Sequence, residues 1–531
     1  MAPTLFSPLD ALPPVPSSVL LLLFVGLAFV FRYRDGRAFG TKVRNDLWEP
    51  PGARFLLGHL PLLLKHKAHF LELWAGWKEE CPPGATLSVT FPGRRLVDVS
   101  NPDALQHIQK DNFSNFVKGK TMYDRLSTIL GDGIFTVDGD LWHKQRKVTS
   151  KVFTPALFRT AISASIEMNL GRMSAILERH AERNEEFDLG DLFFRYTLSS
   201  FAEFSFSTDV KALFVDDDVP VPFASAFDTA QVLIERRFTN PFWKITERFD
   251  GTNKIIQESN GIINEFVYGI IEEREKEGRN SVSKEEKKEA QNTDLLSLYL
   301  ALEDEQGEKL SKEQVRDACL NLLLAGRDTT AEALSWCCFH LFRDPQKKHV
   351  KRMRAEVEEL GDVTYDTHKD YIFLNAVFLE TLRLHPSVPR NGWQCLSADI
   401  LPGGVRMEAG DTALWSDWAM SRDENIWGKD AKEFKPERWI EEDGSLKKES
   451  QFKAHFFNGG YRLCLGQTLA TFEGLAALAL LVRDFDFSLP NSYFKQTAFL
   501  EEEGTPRYRG ALTLSMDSPL TVRVEKRRTV A

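Results

Sequence analysis

The densest apolar stretch of the chain lies near its start. Val15 to Phe31 is apolar apart from Pro16, Ser17 and Ser18, and Val19 to Phe31 carries no charge. Beyond it, apolar positions recur with a helical period in Leu141–Phe153, in most of 155–277, in Ser311–Asp344, in Tyr371–Leu384 and in Leu465–Val482. Such stripes mark helices with one face on a core. Strand-like segments are fewer. Thr86–Phe91 and Arg95–Val99 flank Pro92-Gly93 and predict a β-hairpin, and Leu401–Trp415 and Gly510–Val524 predict two more around Pro-Gly-Gly and Ser-Pro turns. Phe116 to Gly139 is punctuated by glycines and reads as loop, and Glu272 to Asn292 reads as a charged, solvated linker. The pattern predicts a mainly α-helical protein with small β-sheets.

Three of these helices carry polar groups of interest. Ser311-Lys-Glu-Gln314 is a capping box, and the helix it opens can run without proline to Asp344, stopped by Pro345. At about 1.5 Å per residue it is roughly 50 Å long. Inside it lies Ala325-Gly326-Arg327-Asp328-Thr329-Thr330. Gly costs about 1 kcal/mol against Ala in a helix and Thr is mildly unfavourable, so this local loss inside a strong helix hints at function. In Leu141–Phe153, at about 100° per residue, Trp142, Arg146, Thr149 and Phe153 share one sector, and Lys144, Lys147 and Lys151 share the opposite one. Tyr371–Leu384 holds Glu380 and Arg383 at the spacing of a helical ion pair.

Composition narrows the classes. Of 531 residues, 43% are hydrophobic, with 39 Phe against 10 Tyr, enough to bury a large core. A formal charge of −10 argues against a nucleic-acid partner. The six cysteines show no CxxC spacing, so neither a zinc site nor a disulfide framework is indicated, and a reducing compartment fits. One cysteine stands apart. Cys464 lies in the glycine-rich stretch Phe457 to Gly466, directly before the apolar run Leu465–Val482. A sulfur at a helix N-terminus feels the positive end of the helix dipole, which favours thiolate. A lone thiolate suits a single protein ligand to haem iron. Gly460 and Gly466 let the backbone approach a porphyrin and bend without a Cβ clash, and Arg462 is placed to pair with a propionate.

The string Phe-x-x-Gly-x-Arg-x-Cys-x-Gly, Phe457 to Gly466, resembles the haem-binding signature of the cytochrome P-450 family. Trp142/Arg146, Ala325–Thr330, Glu380/Arg383 and Pro436-Glu437-Arg438-Trp439 stand in that family's order. The resemblance implies the cytochrome P-450 fold as a single large domain over 46–531, with one haem b and Cys464 as its metal ligand. It implies that Trp142, Arg146 and Arg462 bind haem propionate, that Arg390 is a further propionate ligand, and that Phe457, Gly460 and Gly466 belong to the haem loop. Asp328 would relay protons and Thr329 would orient water at the oxygen site, in a groove opened by Ala325 and Gly326. Val388 and Pro389, on a strand His385–Arg390, would touch substrate. Glu380, Arg383 and Arg438 would form a buried charge network that fixes the core around the thiolate loop. Cys337, Cys338 and His455 are expected to be structural.

Longer strings, among them Glu-Thr-Leu-Arg-Leu-His-Pro-Ser-Val-Pro-Arg-Asn and Phe-Asn-Gly-Gly-Tyr-Arg-Leu-Cys-Leu-Gly-Gln, look like those of fungal and plant fatty-acid and n-alkane omega-hydroxylases. Tyr461 replaces the usual Pro of these relatives, and Trp393 stands where yeast members often have Arg. The implied reaction is R–H + O₂ + NADPH + H⁺ → R–OH + H₂O + NADP⁺. NADPH–cytochrome P-450 reductase would deliver the electrons, with cytochrome b5 as an optional second donor, and Lys144, Lys147 and Lys151 could meet an acidic redox partner. Three alternatives stay open: a monooxygenase of a terpenoid or aromatic substrate, a thiolate-haem hydroperoxide isomerase or dehydratase, and a non-catalytic haem binder.

The apolar start is at the short end of the ~17–25 residues of a membrane span. Arg32, Arg34, Arg37 and Lys42 follow it and no Lys or Arg precedes it, which places the downstream side in the cytosol. The expectation is an N-terminal transmembrane anchor and linker over 1–45, single-pass in the endoplasmic reticulum membrane with a cytosolic catalytic domain. Glu49-Pro50-Pro51-Gly52 resembles the hinge of microsomal family members.

Overall fold

The computed structural model describes residues 17–33, 38–151, 153–214, 221–280, 294–302, 309–501, 503–509 and 511–527. Among these, the longer helices are α1 (Ser17–Tyr33), α2 (Phe70–Glu80), α3 (Gly119–Leu130), α4 (Gly139–Thr149), α5 (Ser163–Arg183), α6 (Leu189–Phe206), α7 (Pro222–Thr239), α8 (Thr252–Asn280), α9 (Lys312–Arg343), α10 (Lys348–Leu360), α11 (Ile372–Leu384) and α12 (Gln467–Asp484). They form a single domain that is mainly helical with small sheets, as the hydrophobic pattern predicts.

Helix α9 is the axis of the domain. The predicted cap closes both ways: Ser311 Oγ accepts from the Gln314 N–H at 3.2 Å, and Gln314 Oε1 accepts from the Ser311 N–H at 2.9 Å. The helix then runs unbroken for 32 residues. Leu320 and Leu323 join an apolar cluster with α7 and α8, whereas Leu334, Trp336 and Phe339 join another with α10, α11 and α12. The polar segment Ala325–Thr330 falls between these two cores. Here α9 lies against α6 so closely that a Cβ on Gly326 would fall 1.9 Å from the Phe201 ring. The small residue at 326 therefore lets the two helices pack closely.

The strands are short. β1 (Ser88–Phe91) and β2 (Arg94–Asp98) form the expected hairpin, with Gly93 at φ +74 in its turn. β2 pairs in parallel with β8 (Thr412–Ser416), which pairs antiparallel with β5 (Arg390–Cys395), and β3 (Phe116–Val117) completes a five-stranded sheet. β4 (Phe187–Asp188), β10 (Thr521–Lys526) and β9 (Phe485–Ser488) form a second sheet, and β6 (Asp399–Ile400) with β7 (Arg406–Met407) a third.

Several expectations are corrected. The segment read as loop contains α3, because Gly119 (φ +71) and Gly131 (φ +54) mark its ends while the residues between them bury Leu126, Ile129 and Leu130. The strand expected at His385–Arg390 begins only at Arg390, since Pro386 and Pro389 lack the N–H a ladder needs. Thr521–Lys526 pairs with β9, not with the segment before it. Leu401–Trp415 is no single hairpin: its Pro-Gly-Gly turn joins β6 to β7. Residues 272–280 of the expected linker continue α8, and 281–292 lie outside the described residues. The apolar start forms α1, with Leu20 to Leu23 and Phe24 exposed. No helix among the described residues is long and apolar enough to cross a membrane. Residues 1–16, with Val15 and Pro16 of the expected span, and Arg34 and Arg37 lie outside the described residues.

Candidate active site

The loop before α12 is held from outside itself. Gln109 spans it, its Oε1 accepting from the Gly459 N–H at 3.0 Å and its Nε2 donating to Asn458 Oδ1 at 3.3 Å. His455 in turn contacts Gln109 Oε1 at 2.8 Å and Asp417 Oδ1 at 2.6 Å through its two ring nitrogens. Gly460 has φ +57, and a Cβ there would lie 2.2 Å from the Gln109 carbonyl oxygen, so no side chain fits. Gly466 differs: its φ is −86 and a Cβ would meet only Cys464 Sγ, at 3.8 Å. The bend therefore depends on Gly460 and not on Gly466. Phe457 is half-buried against the core and accepts the Cys464 N–H on its carbonyl at 2.9 Å.

Cys464 is the one exposed cysteine among the six. Its thiol is nonetheless desolvated by the protein around it. Burial pushes its thiol up, opposed by the N–H groups of Gly466 and Gln467 and by Arg146. The helix N-terminus does point at the sulfur, but it does not by itself make a thiolate, against the expectation from the dipole. A metal would complete that step, since a coordinating thiol is deprotonated outright.

Beside the sulfur lies a cluster of cations. Arg462 stacks on Trp142, with Cζ 3.9 Å from the ring centroid, and Nη2 donates to Asp138 at 3.0 Å. Arg146 donates to the Leu463 carbonyl at 2.7 Å. Lys118 is buried among them, donating to the Phe135 carbonyl at 2.6 Å, and burial and then Arg462 push its ammonium well down. Sequence reasoning missed Lys118, which carried no motif. Arg146 and Arg462 stand against one carboxylate among the described residues, Asp138, which leaves at least one positive charge in excess, with Lys118 as a further basic group whose proton is held weakly. Trp393 packs 5.7 Å from Arg462 Cζ. Its buried Nε1 and that of Arg462 Nε have no partner among the described residues. A haem fits this set: its propionates can pair with the basic groups and accept from the orphaned donors.

In α9, Thr329 Oγ1 donates to the Ala325 carbonyl at 2.7 Å, and Ser387 Oγ donates to the Thr329 carbonyl at 2.8 Å. Asp328 is buried, takes a hydrogen bond from Gln231 at 2.7 Å and lies 3.1 Å from Arg327, which also pairs with Asp228 at 2.7 Å. Burial raises the Asp328 carboxyl to about 6, with Arg327 pulling it down and Asp228 pushing it up. One turn on, Glu332 is buried beneath Thr513 and Ser515, and burial followed by Asp328 raises it to about 8. Val388 is exposed and Pro389 is buried. Arg390 finds its partner in Glu235 of α7 and stacks on Phe70, instead of joining the Arg462 cluster.

Comparison with known proteins agrees with this geometry. The pattern of the family described as cytochrome P-450 matches residues 49–505. The chain belongs to the cytochrome P-450 family. It is 41% identical over 522 residues to cytochrome P-450 monooxygenase cyp1 of Mycosarcoma maydis, covering 96% of this chain and 80% of that one. It is 32% identical to cytochrome P-450 704C1 of Pinus taeda, covering 88% and 91%, and 35% identical to cytochrome P-450 86B1 of Arabidopsis thaliana, covering 74% and 72%. Membership makes the protein an oxidoreductase of the monooxygenase class with a haem-thiolate cofactor, in a family that typically draws on redox partners.

One more cluster of this cytochrome P-450 centres on the fully buried Glu380. Glu380 accepts from Arg383 Nε and Nη2 at 2.8 Å each, from Arg438 Nε at 3.2 Å, from Trp439 Nε1 at 2.9 Å and from the Lys435 N–H at 2.8 Å. Arg383 reaches on to the Ala431 and Glu433 carbonyls at 2.7 and 3.0 Å. The three sequence-predicted residues are brought together, and Trp439 and the 431–435 backbone join them. Cys337 and Cys338 are buried, with thiols pushed up by burial.

Proposed function

We propose that this cytochrome P-450 hydroxylates a long-chain fatty acid or alkane at or near its terminal carbon, using O₂ and electrons from NADPH delivered by a reductase. The observation that carries the haem chemistry is Cys464 beside Arg146 and Arg462, with the Arg462 Nε and Trp393 Nε1 donors left without a partner among the described residues. Arg146, Arg462, Lys118, Trp142 and Trp393 would hold the propionates, and Cys464 would be the protein ligand to the iron. The bound haem supplies oxygen activation, which the thiolate promotes. What the chain's own residues do is narrower. Asp328, with a carboxyl near 6, can hold and release a proton close to neutral pH, and the Thr329 hydroxyl can orient a water by hydrogen bonding. Terminal selectivity is positioning, set by the channel that presents the chain end.

The aliphatic substrate is supported by the motif strings shared with fatty-acid and alkane hydroxylases. Helix α1, about 25 Å long by rise, with exposed leucines, supports attachment to the endoplasmic reticulum membrane, the domain from residue 46 lying in the cytosol. Lys144, Lys147 and Lys151, all exposed, support docking of an acidic reductase surface. The test is expression of the full chain with haem precursor, a ferrous carbonyl spectrum, and product analysis with reductase and NADPH. A thiolate-type carbonyl spectrum and terminal alcohols from long-chain substrates are expected. A histidine-type spectrum, or NADPH-independent turnover of hydroperoxides alone, would sink the reading.

A further inference from the structure

The helix that holds Asp328 and Thr329 carries a second buried acid, Glu332. It follows Asp328 by four residues and Thr329 by three, so it neighbours both on the helix surface, with Cβ atoms about 5–6 Å apart. Asp328 and Glu332 are each 2% exposed. The C-terminal segment 513–515 fixes Glu332: Thr513 Oγ1 donates to its Oε1 at 2.8 Å, and Ser515 Oγ donates to the same oxygen. That segment is stitched to α9 and to the oxygen site. Trp336 Nε1 donates to the Leu514 carbonyl at 2.7 Å, the Leu514 N–H donates to the Ser387 carbonyl at 2.9 Å, and Ser387 Oγ donates to the Thr329 carbonyl at 2.8 Å.

Each carboxyl has one satisfied oxygen and one orphan. Both hydroxyls donate to Glu332 Oε1, and Oε2 has no hydrogen-bond partner among the described residues. Gln231 donates to Asp328 Oδ2, whereas Oδ1, though 3.1 Å from Arg327 Nη1, accepts no aligned hydrogen bond among the described residues. Two ionised carboxylates one turn apart would repel and leave two buried acceptors unsatisfied. A proton on Glu332 Oε2 turns one of those acceptors into a donor, and Asp328 Oδ1 is an open acceptor one turn away. The surrounding charges agree on which acid holds it. Arg327 pulls Asp328 down against Asp228 of α7, while Asp191 of α6 acts on Arg327. Glu332 is raised further by Asp328 and has Arg509 pulling only weakly. With Glu332 near 8 and Asp328 near 6, at neutral pH Glu332 carries the proton and Asp328 is mostly ionised.

We infer that Glu332 stores the proton that Asp328 delivers to the oxygen site. The O–H bond of Glu332 breaks as that of Asp328 forms, directly or across one water. Glu332 is left as the carboxylate and takes its next proton from solvent. The gap between the two acids makes this transfer about 100-fold unfavourable at rest, so the proton moves when the oxygen site draws on Asp328. The inference rests on the reading of Asp328 as a proton relay and adds where its proton resides at neutral pH.

Two measurements on the holoprotein test it. The protonated-carboxyl C=O stretch in the infrared, followed against pH, should show a component titrating near 8 that Glu332→Gln removes and Asp328→Asn shifts down. With reductase, NADPH and hexadecanoate, product formed per NADPH should hold up to about pH 8 in the wild type. Glu332→Gln should move that limb down by about two units, and Glu332→Asp should restore part of the shift. The ferrous carbonyl spectrum reports folding. If Glu332→Gln does not fold, Ser515→Ala, which removes one donor to the carboxylate, should move both the infrared component and the limb upward. An infrared component near 8 that is missing or survives Glu332→Gln overturns the proton store, as does a loss of yield equal at every pH with the limb unmoved, which would leave Glu332 a tie to segment 513–515. Unchanged yield in Asp328→Asn overturns the relay reading of Asp328 and the store with it. Without turnover of hexadecanoate the aliphatic reading falls, and the infrared titration still decides where the proton resides.

Discussion

Glu332 stands one helical turn beyond Asp328 on the buried side of α9, and the two carboxylates are compensated differently. Asp328 has Arg327 at 3.1 Å and the Gln231 amide at 2.7 Å. Glu332 has the hydroxyls of Thr513 and Ser515, with Arg509 pulling weakly from further off. Burial thus leaves Glu332 near 8 and Asp328 near 6.

The sign of the resulting pH dependence is fixed. Both groups bind their proton more tightly in the folded chain than in the unfolded one, where they titrate at 4.5 and 3.8. Their stabilising contribution is complete below those values and is lost as pH rises through about 6 and about 8. Glu332→Gln keeps an acceptor for both hydroxyls and removes the titration. It should raise stability at pH 8 by roughly 1–3 kcal/mol and change little at pH 4. Thermal melts at the two pH values check this, and parallel curves for variant and wild type would contradict it.

Glu380→Ala strands two guanidiniums and an indole N–H that now converge on one carboxylate. Breaking a buried pair typically costs about 3–5 kcal/mol. The variant should purify with little haem and a much lower melting temperature, measured by haem-to-protein ratio and calorimetry. Normal haem content would remove the network from any part in holding the thiolate loop.

The two loop glycines should respond oppositely. Gly460→Ala drives a Cβ into the Gln109 carbonyl at 2.2 Å and forces a positive φ on alanine, for a loss of roughly 1–3 kcal/mol and of haem retention. Gly466→Ala meets only Cys464 Sγ, at 3.8 Å. Its stability should stay within about 0.5 kcal/mol of wild type, the change appearing instead in the haem absorbance. Equal destabilisation of the two variants would show that the loop bends elsewhere.

Gly326→Ala should destabilise by roughly 1–3 kcal/mol through overpacking against Phe201. Phe201→Leu, harmful alone, should recover part of the loss in the double variant, because the two positions share one contact. Additive denaturation midpoints would mean that α6 and α9 relax independently.

Motifs at fixed spacing were readable in the chain because their chemistry is local. The capping box at Ser311 works within four residues, the Glu380/Arg383 pair within one turn, and Cys464 directly before α12. Lys118, Gln109 and Glu332 were not readable as a group. Each is an ordinary residue in its own segment and gains meaning from burial or from a distant partner, as Gln109 does from Gly459, 350 positions away, and Glu332 from Thr513, 181 away. The α3 helix was missed for a related reason: its glycines cap ends, and only the packing of Leu126 and Leu130 shows that they do not break an interior.

Hydrophobic period and short motifs alone determined the helical class, the central helix, the thiolate loop and the family. Only the tertiary structure decided the direction in which the Cys464 thiol shifts, the partner of Arg390 and the surplus of positive charge around Asp138. The physical reason is that helix propensity and capping act over a few residues, whereas desolvation and Coulomb pairing depend on what the fold brings within a few ångströms, and no spacing along one chain records that.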